Sequence, residues 1–503
     1  MAPLLPIDGG APLRVARAPA LMPTATPTAV EQRRGHEAGL ADLLPLLACP
    51  HCGQQERPLA ARTNRLLCPG CDTEFPTFHS GGTEMPWLFS DPQASLLDWK
   101  ARYNGFVHEN ASEQQRLANA LEDPKLGDLA RERIGKLLQA RKRHRDQVDN
   151  LLQPLGLPAI RPGEHSRPLD CVHARLPKNQ GLMSYYANIF RDWAWNNGEN
   201  EAMVRAVGSV LRQCDTDGLG KLLTVGAGAC RLSYDLHRAW SPDLSVVVDI
   251  NPLLLFLASR VAHGETIPLY EFPIAPVDTN SFAVLQNCVA PQALSASADC
   301  RFRLMFANAM QLPFKPRSFD ALLTPWLIDI LPESLSTFAP RMNQLLESGG
   351  VWMNTGSLAF FHQQESWRYS EEEALQVLED SGFEILSVAR EALPYLQSPV
   401  SAHGRVEKVL SFSARKISDV ESAAPHEYLP HWLLDTGQAV PATPEFVVTS
   451  TDHLLRAQVL AAVDGERSVA EIGELVARQY GLSTEEATAA VKRIFVEVCE
   501  SRL

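Results

Sequence analysis

Across residues 178–417 of the chain, short apolar runs alternate with amphipathic stretches. Leu222–Val225 is one such run, and it enters a glycine turn at Gly226 and Gly228. Apolar runs this short, bounded by glycine, read as strands buried on both faces. A helix reaching roughly five turns is expected next. Ser245–Val248 is then a second strand, ending on Asp249. Asn251-Pro-Leu-Leu-Leu opens another helix, Phe302–Phe306 is a strand, and Ser318–Asp329 carries a fourth. Gly349-Gly350 marks the turn before a fifth, and Gly382–Leu386 with the alternating Val409–Ala414 closes the sheet. This alternation gives a doubly wound α/β domain over 178–417.

The pattern differs on either side. In 93–153, Leu117, Leu121, Leu129, Ile134, Leu137, Leu138 and Val148 recur at helical spacing among charges. Pro154–Pro177 is a proline-rich link, so 93–177 reads as a helical connector. Beyond Ile417 comes a linker rich in Ser, Glu, Ala and Pro, then a compact three-helix unit within 425–503. Ser468 and Glu471 in that unit have capping-box spacing. Residues 1–35, rich in Ala, Pro and Thr with no unbroken apolar segment, read as a disordered leader rather than a signal peptide.

Composition narrows the class. The 503 residues suit two to four domains, and 45% apolar with 21% charged residues is a globular balance. A net charge of −13 argues against broad nucleic-acid binding. The basic run Arg141-Lys-Arg-His-Arg145 reads as a solvated helix face in preference to an RNA contact. No run of 18 apolar residues exists, so no membrane span is expected. Ten cysteines, four of them in two CxxC pairs, fit a reducing cytoplasm.

Those pairs are Cys49-Pro-His-Cys52 and Cys68-Pro-Gly-Cys71, fifteen residues apart. Two knuckles of this kind aim four thiolates at one ion, a closed tetrahedral site that suits structural zinc and leaves no open position for catalysis. A redox dithiol pair is the alternative. Arg65–Leu67 reads as a short strand between the knuckles. With Leu43–Ala48 before them and Asp72–Pro76 and Met85-Pro-Trp-Leu after, 40–90 resembles the small zinc-ribbon family whose stand-alone members partner tRNA, rRNA and protein methyltransferases. The resemblance implies a scaffold, here fused in cis.

The turn after the first strand of the α/β domain carries the candidate chemistry. Its glycines let the backbone approach a ligand, the following helix offers free N–H groups, and Asp249 can grip a ribose diol. Arg231 follows Cys230, so the third glycine of the dinucleotide fingerprint is missing. That tilts the reading from NAD to S-adenosylmethionine, which has no pyrophosphate to cradle. An ordinary βαβ turn with an incidental acid stays open. Upstream, Asn188 and Arg191 sit three apart and share a helix face. There Arg191 can hold a methionine carboxylate, or simply pair with Asp192 at the surface.

The order Asn308-Ala-Met-Gln-Leu-Pro-Phe314, Ser318-Phe-Asp320, apolar strand recurs across class I methyltransferases. Joined with Asn188-Ile-Phe-Arg191-Asp-Trp, Gly226-Ala-Gly228-Ala-Cys-Arg231-Leu, Leu327-Ile-Asp329, Gly350–Leu358 and His362, it resembles the carnosine N-methyltransferase family over about 230 residues. The resemblance implies a class I, Rossmann-like sheet. It implies cofactor contacts at Asn188, Arg191, Gly226, Gly228, Arg231, Asp249, Asn308, Ala309 and Pro325, and acceptor contacts at Asp329 and His362. Three features depart from the family: Asp249 is shorter than the family's acidic side chain on the second strand, Asn308 stands where an Asp is usual, and the acceptor tyrosine expected near the last strand finds Glu407 or Lys408.

The last unit resembles the PqqD-like winged-helix module, whose relatives bind leader peptides by adding a strand to a small sheet. That resemblance implies strands within Trp432–Thr449 and a leader-peptide or carrier partner; a stability or dimerisation appendix is the other reading. The expected activity is S-adenosylmethionine-dependent N-methylation of an imidazole- or amine-bearing small molecule or peptide, with zinc as a structural ion. The rivals are methylation of a ribosomal-peptide or natural-product precursor recruited by the tail, and a non-catalytic zinc-ribbon adaptor.

Overall fold

The computed structural model describes residues 40–53, 55–157, 180–214, 218–294, 301–362, 364–422 and 437–500. The expected leader and most of the proline-rich link lie outside these residues. The chain divides into two compact units, with the boundary at residue 425.

In the larger unit the first four strands are β1 (Ala60–Arg62), β2 (Arg65–Leu67), β3 (Glu74–Ser80) and β4 (Thr83–Pro86), an antiparallel sheet in sequence order. A helical hairpin follows, α1 (Pro92–Leu121) and α2 (Asp128–Leu152). Asp91 caps α1 by accepting the Ala94 N–H at 2.9 Å. Then come α3 (Tyr186–Trp193), α4 (Glu199–Leu211), β5 (Lys221–Val225), α5 (Arg231–Trp240), β6 (Leu244–Asp249) and α6 (Pro252–Ala262). An antiparallel hairpin, β7 (Ile267–Glu271) and β8 (Val284–Cys288), interrupts the alternation; the hydropathy pattern did not reveal it. The remainder is β9 (Phe302–Phe306), β10 (Phe319–Pro325), α7 (Leu335–Leu345), β11 (Leu346–Gly356), α8 (Glu371–Asp380), β12 (Phe383–Tyr395) and β13 (Arg405–Lys416).

Seven of these strands form one sheet in the order β12-β13-β11-β10-β5-β6-β9. Only β13 runs against the others, pairing antiparallel with both β11 and β12. The expected doubly wound sheet is therefore present, with its order reversing between β5 and β10. The first helix after β5 is shorter than expected. It stops at Trp240 because Pro242 follows, and proline disfavours helical backbone in the residue before it.

Alternation along β5 assigns its two faces. Leu223 and Val225 join Phe338 and Met342 of α7 in one core layer, and Leu66 and Phe75 of the small sheet lie in the same layer. Leu222 faces Val207 and Leu211 of α4 on the other side. This small sheet is thus part of the α/β core rather than a tethered appendage. It also covers the sheet's β9 edge: Trp87 bridges Phe306, and the Leu88 N–H donates to the Phe306 carbonyl at 2.8 Å. Arg303 of β9 pairs with Asp42 at 2.9 Å. Capping an edge in this way removes unpaired backbone groups that would otherwise template association.

The smaller unit contains α9 (Pro444–Ala461), α10 (Val469–Tyr480) and α11 (Thr484–Glu500) around Val459, Ile472, Val476, Ala487 and Val491. The Ser468–Glu471 capping box forms as expected. The strands expected within Trp432–Thr449 do not: residues 437–443 are irregular, and α9 begins at Pro444, capped by Thr443. Residues 432–436 lie outside those described. Proline at the first helical position and a threonine cap favour helix over strand there. Among the described residues, no helix is long and apolar enough to cross a membrane.

Candidate active site and metal centre

The C-terminal ends of β5, β6, β9 and β10 open on one cavity of about 490 Å³, at the point where the strand order reverses. Open α/β sheets bind their ligands there. The loop after β5 turns at Gly226 and Gly228 with φ of +71° and +59°, values that glycine adopts without strain. A Cβ at Gly226 would lie 2.7 Å from Leu327 Cδ1, whereas a Cβ at Gly228 would meet nothing within 4 Å. The loop folds against β6, with the Gly226 and Ala227 N–H groups donating to Val248 O at 2.9 and 3.1 Å.

Asp249 closes this turn. Its Oδ2 accepts the Gly228 N–H at 2.7 Å and its Oδ1 the Asn251 N–H at 2.9 Å. Burial raises the carboxyl to about 6, against the pull of these hydrogen bonds. Asn188, Arg191, Asn308, Ala309 and Pro325 line the same cavity, as does Asp329. Asn188 and Arg191 share one face of α3, as their spacing implies. Arg191 donates from Nε to Asp192 Oδ1 at 2.7 Å. Asn308 Oδ1 accepts the Met310 N–H at 3.0 Å, which fixes the turn after β9. Asp329, on the segment after β10, is 5% exposed, and its Oδ2 accepts hydrogen bonds from both Ser357 Oγ and the Ala359 N–H at 3.0 Å. Neither donor touches Oδ1. Burial raises this carboxyl as well.

Two expected contacts lie elsewhere. Arg231 is absent from the cavity wall: its Nη1 donates to Asp192 O and its Nε pairs with Asp235 at 2.8 Å. It braces α5 against α3, so its role is positional. His362 is also absent from that wall. Its ring packs edge-on to Trp367 at 5.4 Å and parallel to Phe360, its Nε2 is buried without a partner, and its neighbour Phe361 reaches the cavity instead. A one-residue shift in an irregular segment suffices to exchange which side chain points inward.

Sequence reasoning missed the aromatic wall. Tyr185, Trp326 and Tyr395 line the cavity, with Trp326 and Tyr395 4.6 Å apart. A tyrosine was sought on the last strand; the one that lines the cavity is Tyr395 of β12, which pairs with Arg405 of β13. Glu407 of β13 also lines the cavity, whereas Lys408 does not. A hairpin register places Tyr395 beside that strand, but the sequence of β13 alone gives no sign of it.

The four ribbon cysteines form a second centre. Cys49 and Cys71 Sγ are 3.8 Å apart, as are Cys52 and Cys68, and all four sulfurs lie within 4.8 Å of one another. A tetrahedral ion with metal–sulfur bonds of about 2.3 Å requires sulfurs about 3.8 Å apart, so the set fits zinc. Metal analysis of the purified chain is expected to find one zinc. Cys68→Ser should release it and lower the melting temperature by about 10 °C; a metal-free protein of unchanged stability would contradict the assignment.

No model of a known protein family matches the chain, and no curated protein matches it. Solved structures do. The [4+2]-cyclase SpnF is 15% identical over 47% of this chain and 93% of its own, with a TM-score of 0.31. An S-adenosylmethionine-dependent methyltransferase from Methanosarcina mazei is 14% identical over 41% of this chain and 97% of its own, with a TM-score of 0.29. Geranyl diphosphate methyltransferase, in complex with GPP and sinefungin, is 13% identical over 42% and 77%, also at 0.29. The central sheet of this chain is mostly parallel, with β13 its one reversed strand.

Proposed function

We propose that this chain is an S-adenosylmethionine-dependent N-methyltransferase acting on an imidazole- or amine-bearing small molecule or peptide. The observation that carries the reading is one cavity holding two differently placed acids. Asp249 is at the tip of β6 beside the Gly226–Gly228 turn, and Asp329 is on the segment that follows β10. An acid at the first place suits a ribose diol, and Asn308 on the next strand suits an adenine edge. Arg191, also lining this cavity, suits the methionine carboxylate. When bound, the sulfonium supplies the electrophile; alignment and exclusion of water fall to the protein.

On the acceptor side, Asp329 is braced through Oδ2 and presents Oδ1 to an N–H of a neutral imidazole or amine. Accepting that hydrogen bond fixes the tautomer whose lone pair faces the cofactor. Tyr395 and Trp326 provide a flat apolar wall beside it.

Calorimetry with S-adenosylmethionine tests the reading, and pH sharpens the test. Asp249 carries its charge only above its own pKa of about 6. As pH falls through 6 it takes up a proton and loses an acceptor for the diol. Affinity should therefore weaken roughly tenfold from pH 7.5 to pH 5. An absence of binding at pH 7.5 would refute the proposal.

A further inference from the structure

A second and larger cavity, about 720 Å³, lies between the α1–α2 hairpin, α3, the β7–β8 hairpin and the segment joining β12 to β13. Its volume is that of a small-molecule site. Five aromatic rings line it: Phe106, Tyr186, Phe190, Trp195 and Phe272.

Its charges do not balance. Arg116 pairs with Glu113, and Arg405 pairs with Glu407 at 2.7 Å. Glu271 is saturated, accepting Trp195 Nε1 at 3.0 Å, Gln286 Nε2 at 2.8 Å and the Ser398 hydroxyl. Arg141, half-buried, has no carboxylate within 4 Å among the described residues, and Glu113 is the acid nearest to it in effect. Its guanidinium lies 3.7 Å over the Phe272 ring, and its Nε is buried without a hydrogen-bond partner. Beside it Asn110, 4% exposed, donates to Arg141 O at 3.1 Å while its own Oδ1 has no partner. Burial lowers the Arg141 pKa, with the Glu113 carboxylate pulling the other way. The basic run that reads as a solvated helix face therefore turns inward here, with His144 also buried.

We propose that this cavity binds an organic carboxylate with a flat apolar body, the carboxylate on the Arg141 guanidinium and the body between the aromatic walls. Planar guanidinium held rigid by stacking matches a carboxylate with two parallel hydrogen bonds. A charge-assisted bond of this kind, made away from bulk water, discriminates strongly against the uncharged amide. The site is distinct from the nucleoside cleft, although Arg405 lines both. Its test needs no methyl transfer.

Titration calorimetry on the full chain with indole-3-acetate and with indole-3-acetamide tests the proposal. The acid is expected to bind at least about tenfold more tightly than the amide. Arg141→Gln should abolish that preference with the melting temperature unchanged, and Arg141→Lys should keep part of it. Ala187→Trp fills the cavity from an exposed position on α3 without altering the arginine, and should remove binding of both probes. Heat from neither probe, a preference surviving in Arg141→Gln, or full binding in Ala187→Trp would overturn it.

Discussion

Asp329→Ala is expected to lower acceptor turnover by a factor on the order of a thousand and to leave S-adenosylmethionine affinity within about twofold of the native value. The split follows from where the carboxylate stands. It is on the segment after β10, with its Oδ2 held by Ser357 and Ala359, whereas Asp249 and the Gly226–Gly228 turn belong to the ends of β6 and β5. Removing it takes away the acceptor's N–H partner, so the nucleophilic nitrogen loses its orientation. Asp329→Asn separates shape from charge: its carbonyl oxygen can still accept, but the amide cannot reproduce both anionic oxygens. Its turnover should fall between the native and alanine values. Parallel loss of cofactor binding in Asp329→Ala would mean that the residue shapes the whole cavity rather than the acceptor half.

Gly226→Val should do the reverse and weaken nucleoside binding by at least about a hundredfold. Two costs add. A β-branched residue at φ of +71° is strained by roughly 1–3 kcal/mol. Its Cβ would also stand 2.7 Å from Leu327 Cδ1, and Leu327 is 8% exposed, with little room to retreat. The loop must shift, and Asp249 shifts with it because the Gly228 N–H is its partner. Gly228→Ala is the matched control. It meets open space, so it bears the conformational cost alone and should weaken binding less. Equal losses in the two variants would show that backbone strain, not the packing against Leu327, governs the site.

That Gly226, Gly228, Asp249, Asn188 and Arg191 would line one cavity was legible because the signals are local. Gly226, Gly228 and Asp249 fall on two consecutive strand ends, and a strand–turn–helix pattern places such residues without knowledge of the rest. Asn188 and Arg191 needed only helical periodicity. What escaped depends on registers that no local pattern encodes. Tyr395 reaches the cavity through its pairing with Arg405, and the β7–β8 hairpin is an insertion whose apolar alternation is weak. His362 was misplaced because it sits in an irregular stretch, where side-chain direction has no period. Arg231 is polar and beside the glycine loop, so proximity in sequence suggested contact. In the structure its reach is spent on Asp192 and Asp235.

The seam between residues 40–90 and the large sheet has a consequence for anyone shortening the gene. Residues 46–50 hold the segment bearing Asn308 from below: the Ala48 N–H donates to Pro313 O at 2.9 Å, the Lys315 N–H to Leu46 O at 2.8 Å, and Gln311 Nε2 to Pro50 O at 2.6 Å. A product beginning at residue 93 would lose these clamps and bare the outer strand Phe302–Phe306, whose five residues are all buried in the intact chain. Such a fragment should precipitate on expression rather than yield a minimal enzyme, because a raw apolar margin recruits its own kind. The smallest workable unit thus begins ahead of the first cysteine knuckle.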